Sequence, residues 1–222
     1  MSTLAPIVLF VYKRLDHVQR TLNCLSKNEL SENSDLYIFS DNAKSISDIN
    51  SVNKVRDYCS NITGFKTVSL INREKNFGLA KNLVSGISDV LKNNDKVIVL
   101  EDDLLTDKFF LKYMNDSLKK FQNNNEVISV HGYLYPIKKR MNKSSFLIGA
   151  DCWGWGTWKR GWDLYSNDTS YLLKEIIDQK KEKEFNFNNS YNYIQMLKET
   201  LKLSQNSWAV KWYASAFIKN KL

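Results

Sequence analysis

The sequence has few of the residues that mark several common protein classes. Among 222 residues there are only two prolines, eight glycines and three cysteines. This low proline and glycine content excludes collagen-like and linker-like sequence, and a hydrophobic content of 43% excludes a disordered chain. The chain also lacks an uninterrupted apolar run of about 18 residues, which a membrane-spanning helix would require. A soluble globular protein with a packed core is therefore predicted.

The cysteines and the N-terminus indicate the compartment. Cys24, Cys59 and Cys152 are odd in number, far apart and form no C-x-x-C pair, so neither a disulfide framework nor a zinc site is predicted. The apolar N-terminal stretch has no preceding basic region and no small-residue cleavage site. It is predicted to be a buried strand rather than a signal peptide, and we expect a cytoplasmic location.

The net charge is positive, since 32 Lys and Arg residues outnumber 24 Asp and Glu residues by eight. Such a surface fits phosphorylated small molecules, an anionic membrane face or nucleic acid, or is simply solvated. No helix-turn-helix, zinc finger or aromatic RNP motif is present, so we do not expect a nucleic-acid partner. Peripheral association with the inner face of a membrane is a weaker expectation.

Short apolar runs alternate with helical periodicities over roughly the first 130 residues, which is typical of a parallel sheet with crossover helices. We expect an α/β fold with a Rossmann-like, mostly parallel central sheet flanked by helices. Asp16 is expected to be the N-cap of the first helix, with Gln19 three residues further on. Strands are predicted over residues 7–12, 36–39, 67–72, 97–100 and 127–130.

The composition changes near residue 132, because all six tryptophans lie in the last 70 residues. We expect residues 1–132 to form a nucleotide-binding half and residues 133–222 to form an aromatic-rich half with a different role, within one compact unit.

Three adjacent carboxylates, Glu101, Asp102 and Asp103, directly follow the fourth predicted strand. They repel one another unless a cation or solvent neutralises them, and all-oxygen ligands favour Mg²⁺ or Mn²⁺. In an extended segment Glu101 and Asp103 would share one face, and Asp102 would point to the other face, toward a ribose. The alternative is an acidic loop that caps a helix beginning at Thr106 or Asp107.

The segment VIVLEDDLLTDKFFLKYMNDSL resembles the metal-binding segment of glycosyltransferases with the GT-A fold, particularly the N-acetylglucosaminyltransferase I type and related bacterial sugar transferases. There the last acidic residue of a Glu-Asp-Asp motif binds Mn²⁺ on the diphosphate of the sugar nucleotide. The resemblance implies Asp103, with Glu101 beside it, as the metal site, Asp102 on the nucleotide side, and Mn²⁺ or Mg²⁺ as the cofactor.

Three further segments match this family in the required order. Phe10-Val-Tyr-Lys-Arg14 resembles the end of the first strand, which implies that Tyr12 and Arg14 meet the nucleotide. Phe39-Ser-Asp41 implies that Asp41 binds a uracil ring. Asn76-Phe-Gly-Leu-Ala-Lys-Asn82 resembles a helix-opening segment that approaches the base and the phosphates.

The residues of that third segment also fit an anion on physical grounds. A helix N-terminus at Gly78 offers free N–H groups, and Gly permits close approach of the backbone. Lys75 and Lys81 add positive charge beside Asn76, although surface solvation is an equal alternative for both lysines.

The second half contains Asp151-Cys-Trp-Gly-Trp-Gly-Thr-Trp158, which resembles an acceptor segment of several GT-A transferases. Flat aromatic faces suit a sugar ring, and glycines leave room for the ring to approach. We expect Trp153 and Trp155 to bind the acceptor, together with His131, which follows the fifth strand. The resemblance implies a base beside this segment, with Asp151 the nearest candidate and Asp163 further on.

Core packing is the alternative for these tryptophans. It is favoured for Trp158 and Trp162, which are spaced i, i+4 on a predicted helix.

The resemblance implies a metal-dependent, inverting glycosyltransferase that moves a sugar from a nucleotide-sugar donor, UDP-linked, to a glycan or lipid-linked acceptor in bacterial surface polysaccharide synthesis. Related bacterial sequences tend to have an acidic residue just before a segment similar to Ser207-Trp-Ala209. This chain has Asn206 there, which cannot act as a base.

The chain also ends at Leu222, whereas family members often continue, so a shortened form with an incomplete site is one alternative. A second hypothesis is therefore a nucleotide-sugar or glycan binding module that has lost catalysis. A third, a nucleotidyltransferase, requires a Gly-rich loop near the first strand, and residues 12–16 contain no glycine.

Overall fold

The computed structural model describes residues 4–136, 145–202 and 206–222, which form two compact units. The first unit comprises the described residues up to Asn123, together with Val130–Leu134 and Trp153–Lys159. The second unit comprises Asn124–Ser129 and the described residues of Tyr135–Cys152 and Arg160–Leu222. The functional division at residue 132 stays a prediction.

A six-stranded sheet, ordered β3-β2-β1-β4-β6-β5, is the basis of the first unit. β1 pairs in parallel with β2 and β4, β2 pairs in parallel with β3, and β6 runs antiparallel to β4. The predicted α/β class with a mostly parallel sheet is therefore confirmed. The strands are β1 (Ile7–Val11), β2 (Asp35–Ser40), β3 (Thr67–Asn72), β4 (Lys96–Glu101), β5 (Ser129–His131) and β6 (Trp155–Trp158).

Helices cover this sheet, with α2 on β2 and β3, α3 on β1 and β4, and α4 on β6. No helix in the described part of the chain has the length and apolar character needed to cross a bilayer. The helices are α1 (Leu15–Leu25), α2 (Ile49–Ser60), α3 (Leu79–Leu91), α4 (Phe110–Lys120), α5 (Lys159–Trp162), α6 (Thr169–Asp178), α7 (Glu182–Phe185), α8 (Tyr193–Leu201) and α9 (Trp208–Ile218).

Two local predictions were wrong. Arg14, not Asp16, occupies the N-cap position of α1, and Asp16 lies in the first turn without capping it. Trp158 and Trp162 do not share a helix, because Trp158 ends β6 and Trp162 ends α5. Both side chains are buried, so the prediction that they belong to the core is confirmed.

The second unit has its own apolar core between α6, α8 and α9. α9 is buried on nearly every side, which fits its almost wholly apolar sequence. Phe185 stacks on Tyr213 with ring centroids 4.5 Å apart.

Candidate functional site

The carboxyl ends of the four parallel strands meet at one edge of the sheet. Val11 is in register with Ser40, Ser40 with Asn72, and Phe10 with Glu101. The chain proceeds from β1 to β2 and β3 on one side, whereas β4 lies on the other side of β1. This reversal between β1 and β4 is the topological switch point at which open α/β sheets bind ligands.

Arg14 lies at this switch point and joins two of the three predicted carboxylates. Its guanidinium donates to Oδ1 of Asp102 and, at 3.1 Å, to Oδ2 of Asp103. The predicted alternation of faces fails here, because β4 ends at Glu101 and the next two residues lie in a turn. Asp102 is buried, whereas the Asp103 side chain is 45% exposed. Asp103 is thus the accessible carboxylate of the triplet.

Thr21, which was not predicted from the sequence, helps to hold this turn. It is fully buried on α1, and its hydroxyl donates to the Asp102 carbonyl at 2.8 Å. A polar residue beside Leu22, on the apolar face of α1, was the signal that could have indicated this role.

Negative charge at the triplet is only partly compensated by Arg14. Burial, followed by the charges of Asp103 and Asp102, raises the pKa of Glu101 to about 7. Burial also raises the pKa of Asp102, against the opposing effect of Arg14.

These oxygens suit a hard divalent cation that brings further ligands with it. Within the described residues no three metal-ligating side chains converge. Mg²⁺ and similar ions are commonly held by one or two carboxylates together with substrate phosphates. The triplet could therefore supply one or two ligands to such an ion, and other ligands would have to come from the substrate or from water.

Asp41 organises the loop after β3. Its carboxylate accepts hydrogen bonds from the backbone N–H groups of Phe77 and Gly78, at 2.8 and 2.9 Å, and from the Asn76 side chain at 3.3 Å. It also accepts the N–H of Asn42. The Gly78 N–H is therefore already bonded to Asp41, and anion binding by the other N–H groups of this helix N-terminus stays a prediction.

Arg73 is a further residue of this edge that the sequence analysis missed. It lies between the rings of Phe39 and Phe77, 4.8 and 4.9 Å from their centroids, and donates to Asn82 and Ser85. The predicted Lys81 is exposed, with its ammonium 4.8 Å from the centroid of the Phe77 ring.

Tyr12 and Lys75, which were also predicted to bind the nucleotide, lie in two different loops, after β1 and after β3. Tyr12 donates from its hydroxyl to Asp48 at 2.9 Å and accepts the Lys44 N–H. Lys75 is exposed to solvent. These contacts leave the nucleotide roles of Tyr12 and Lys75 as predictions.

A cavity of about 400 Å³ lies beside Asp103, entirely within the first unit. Its wall is mostly aromatic and aliphatic, with two carboxylates. It is lined by Leu100, Asp103, Leu104, Leu105, Thr106, Asp107, Phe109, Phe110, Tyr113, Gly132, Tyr133, Trp153 and Gly154. Trp153 was predicted from the sequence, whereas Asp107, Phe109 and Tyr113 were not.

Asn28 fixes the loop that forms one wall of this cavity. Its amide donates to the Thr106 hydroxyl, and its carbonyl oxygen accepts the Leu111 N–H, both at 3.0 Å. The neighbouring Glu29 N–H donates to the Lys108 carbonyl at 2.9 Å. Asn28 therefore acts as a remote cap for α4. The alternative interpretation placed the start of this helix at Thr106 or Asp107, whereas α4 begins at Phe110, with Phe109 at its N-cap and no side-chain bond there.

The glycines near Trp153 leave room for the ring of Phe110 rather than for the ring of a sugar. A Cβ on Gly132 would lie 2.4 Å from the Phe110 ring, and one on Gly154 would lie 3.2 Å from it. Gly154 also has φ of +68°, which favours glycine. Trp155 is only 1% exposed, so its ring offers no surface to an acceptor. His131 ends β5, directly before the cavity residue Gly132.

The remaining predicted residues belong to the second unit. Asp151 accepts the Cys152 N–H at 2.7 Å, and its charge contributes, after burial, to raising the pKa of Tyr135 to about 12. Asn206 accepts from the buried Lys211 ammonium at 3.3 Å. The roles of Asp151 and Asp163 as bases stay predictions.

Comparison with known proteins gave structural similarities only, since no family model and no curated protein matched the sequence. S. aureus TarS is similar at 15% identity over 54% of this chain, with a TM-score of 0.41. A mannosyltransferase, PcManGT from Pyrobaculum calidifontis in complex with GDP-Man and Mn²⁺, is similar at 10% identity over 97%, with a TM-score of 0.49. A Bacillus anthracis protein assigned as a glucose-1-phosphate thymidylyltransferase is similar at 12% identity over 74%, with a TM-score of 0.36.

The chain spans 20%, 74% and 75% of these three chains, respectively. None of the three is named an N-acetylglucosaminyltransferase, and that finer resemblance stays a prediction.

Proposed function

We propose that the protein is a GT-A-type glycosyltransferase whose first unit binds a nucleotide-sugar donor. The arrangement of Arg14 with Asp102 and Asp103 carries this proposal, because it lies at the switch point between β1 and β4, where open α/β sheets bind nucleotides. An aromatic cavity directly beside Asp103 supports it, as does the resemblance of the Glu-Asp-Asp segment.

Asp103, with Glu101 beside it, would hold Mn²⁺ or Mg²⁺. When bound, the ion supplies positive charge that stabilises the departing nucleoside diphosphate. Arg14 orients the Asp103 carboxylate, and Thr21 and Arg14 together fix Asp102.

On the nucleotide side, we propose that Asp41 acts mainly by positioning the segment Asn76–Phe77–Gly78. Lys75 and Lys81 are exposed and carry the positive charge that a diphosphate requires. The donor is proposed to be UDP-linked, in keeping with the resemblance.

On the acceptor side, Trp153 is the proposed contact, and inverting transfer requires a base that takes the proton of the acceptor hydroxyl. Asp151 in the second unit is the proposed base. A role in bacterial surface polysaccharide synthesis, at the inner face of a membrane, is part of the same proposal.

A binding module without catalysis is the second candidate, and Asn206 favours it. Its amide oxygen accepts from Lys211, and an amide cannot take the proton of an acceptor hydroxyl.

Donor turnover tests the proposal. The purified protein is incubated with UDP- and GDP-sugars, Mn²⁺ and methyl glycosides as acceptors, and release of nucleoside diphosphate by sugar transfer to a glycoside or to water is measured. We expect release from one donor, reduced about 100-fold or more in Asp103→Asn because the accessible carboxylate is lost. The matched control is Asp57→Asn, an exposed aspartate on α2, which should keep full activity.

The outcomes separate the candidates. Metal-dependent binding without release would support the binding module. Release of pyrophosphate from a nucleoside triphosphate and a sugar phosphate would identify a nucleotidyltransferase and contradict the proposal.

A further inference from the structure

Four partly exposed aromatic side chains surround the cavity beside Asp103. Phe109, Tyr113, Tyr133 and Trp153 are between 40% and 46% exposed. Grouped exposed rings are costly in water and mark a surface that a ligand covers. The Tyr133 and Trp153 rings meet edge to face, with centroids 5.1 Å apart, which holds their planes at a fixed angle.

The charges of the cavity select among ligands. Asp103 and Asp107 are the charged residues among those that line it in the described chain, and Arg14 compensates part of the Asp103 charge. Asp107 is held at the wall because its Oδ1 accepts the Phe109 N–H at 3.0 Å. Ionised carboxylates only accept hydrogen bonds and repel anions, so they suit a ligand that is rich in hydroxyl donors and carries no negative charge.

We infer that this cavity binds an uncharged pyranose unit of the acceptor and discriminates against acidic sugars. Aromatic faces cover the C–H surface of such a ring, while the Asp107 carboxylate accepts its hydroxyls. A volume of about 400 Å³ lies within the range of small-ligand sites. The inference rests on the proposed function and narrows its acceptor to a glycan end without an acidic group.

The tryptophans provide a direct probe of this cavity. Trp153 is 46% exposed, whereas the other five tryptophans are 6% exposed or less. Quenching of the protein fluorescence by acrylamide therefore reports mainly on Trp153. A Trp153→Phe variant identifies the part of the signal that comes from the cavity.

The experiment compares matched methyl glycosides that differ only in charge. Methyl glucoside, galactoside and mannoside are titrated at millimolar concentration beside the corresponding methyl uronides. We expect at least one neutral glycoside to protect Trp153 from quenching, with its uronide binding about 10-fold more weakly. In Asp107→Asn this difference should shrink, because one repelling charge is removed. Tyr171→Ala, an exposed aromatic on α6, is the control that should change nothing.

Protection by no neutral glycoside, or equal or tighter binding of the uronides, would overturn the inference. So would ligand-dependent protection that persists in Trp153→Phe. These probes need neither nucleotide nor metal, so the test is separate from that of the proposed function. If the donor is turned over but no neutral sugar protects Trp153, the glycosyltransferase proposal stands and the sugar site is refuted. If a neutral sugar protects Trp153 but no donor is turned over, the sugar site stands and the glycosyltransferase proposal is not supported.

Discussion

Asp48 links two loops at the carboxyl edge of the sheet through the hydrogen bonds of a single side chain. Its carboxylate accepts from the Lys13 ammonium at 2.7 Å, the Tyr12 hydroxyl at 2.9 Å and the Ser45 hydroxyl at 3.1 Å. The hydrogen bonds from Lys13 and Tyr12 lower the pKa of Asp48 to about 2. The loop after β2 is therefore held to the end of β1 by a carboxylate that stays ionised in acid.

The titration of Asp48 tests this directly. Because its pKa is lowered in the folded state, its stabilising effect is present above the unfolded value near 3.8 and is lost as the pH falls toward about 2. Carboxyl NMR should give a midpoint near 2, and Lys13→Met should raise that midpoint. A midpoint near 3.8 in the unmodified protein would contradict these contacts.

At the residue scale, the sequence predicted which side chains lie near one another more reliably than it predicted the role of each. The carboxyl ends of parallel strands coincide, so Arg14, Asp41 and Asp103 could be assigned to one edge. The partners of Asp41 could not be predicted, because they depend on how the loop after β3 folds back. Thr21 and Asn28 were missed for the same reason, since each bonds to a segment about 80 residues away.

At the scale of elements, Asn28 links the end of α1 to the start of α4. Removing its side chain leaves the Leu111 N–H and the Thr106 hydroxyl without this partner in a buried setting. We expect Asn28→Ala to cost about 1–3 kcal/mol of unfolding free energy. Thermal denaturation should show it, at about 2–4 °C for each kcal/mol.

The control for this prediction carries the same substitution on the helix that precedes Asn28. Asn23 is exposed on α1, and Asn23→Ala should change the unfolding free energy by less than about 0.5 kcal/mol. If Asn28→Ala were as stable as Asn23→Ala, the linking role of Asn28 would be refuted.

Elements with strong periodicity were predictable. β3 matches its predicted range, and the apolar residues that recur at helical spacing on α1 and α3 are buried, apart from the exposed Leu79. β6 was not predicted, because Trp-Gly-Thr-Trp is short and glycine is unfavourable in strands. Glycine suits position 156 because the Cβ of any other residue would lie 3.0 Å from the Val97 carbonyl oxygen and 3.1 Å from Met114.

At the scale of the whole molecule, the first unit contains the proposed donor site and the sugar cavity, and the second contains the proposed base Asp151. The α/β class followed from the alternation of strands and helices. The two compact units are not continuous in sequence, because segments after residue 129 return to the first unit, among them the strand that contains Trp155. The functional division at residue 132 stays a prediction.

Calorimetric titration of UDP, GDP, CDP and CMP, each with and without Mn²⁺, tests the donor site most directly. The comparison includes the unmodified protein, Asp103→Asn and Asp57→Asn. We predict that one nucleoside diphosphate binds only with Mn²⁺, that Asp103→Asn abolishes this binding, and that Asp57→Asn preserves it. Binding that is independent of Mn²⁺ and unchanged in Asp103→Asn, or no binding of any nucleotide, would contradict a metal-dependent nucleotide site at the ends of β1 and β4.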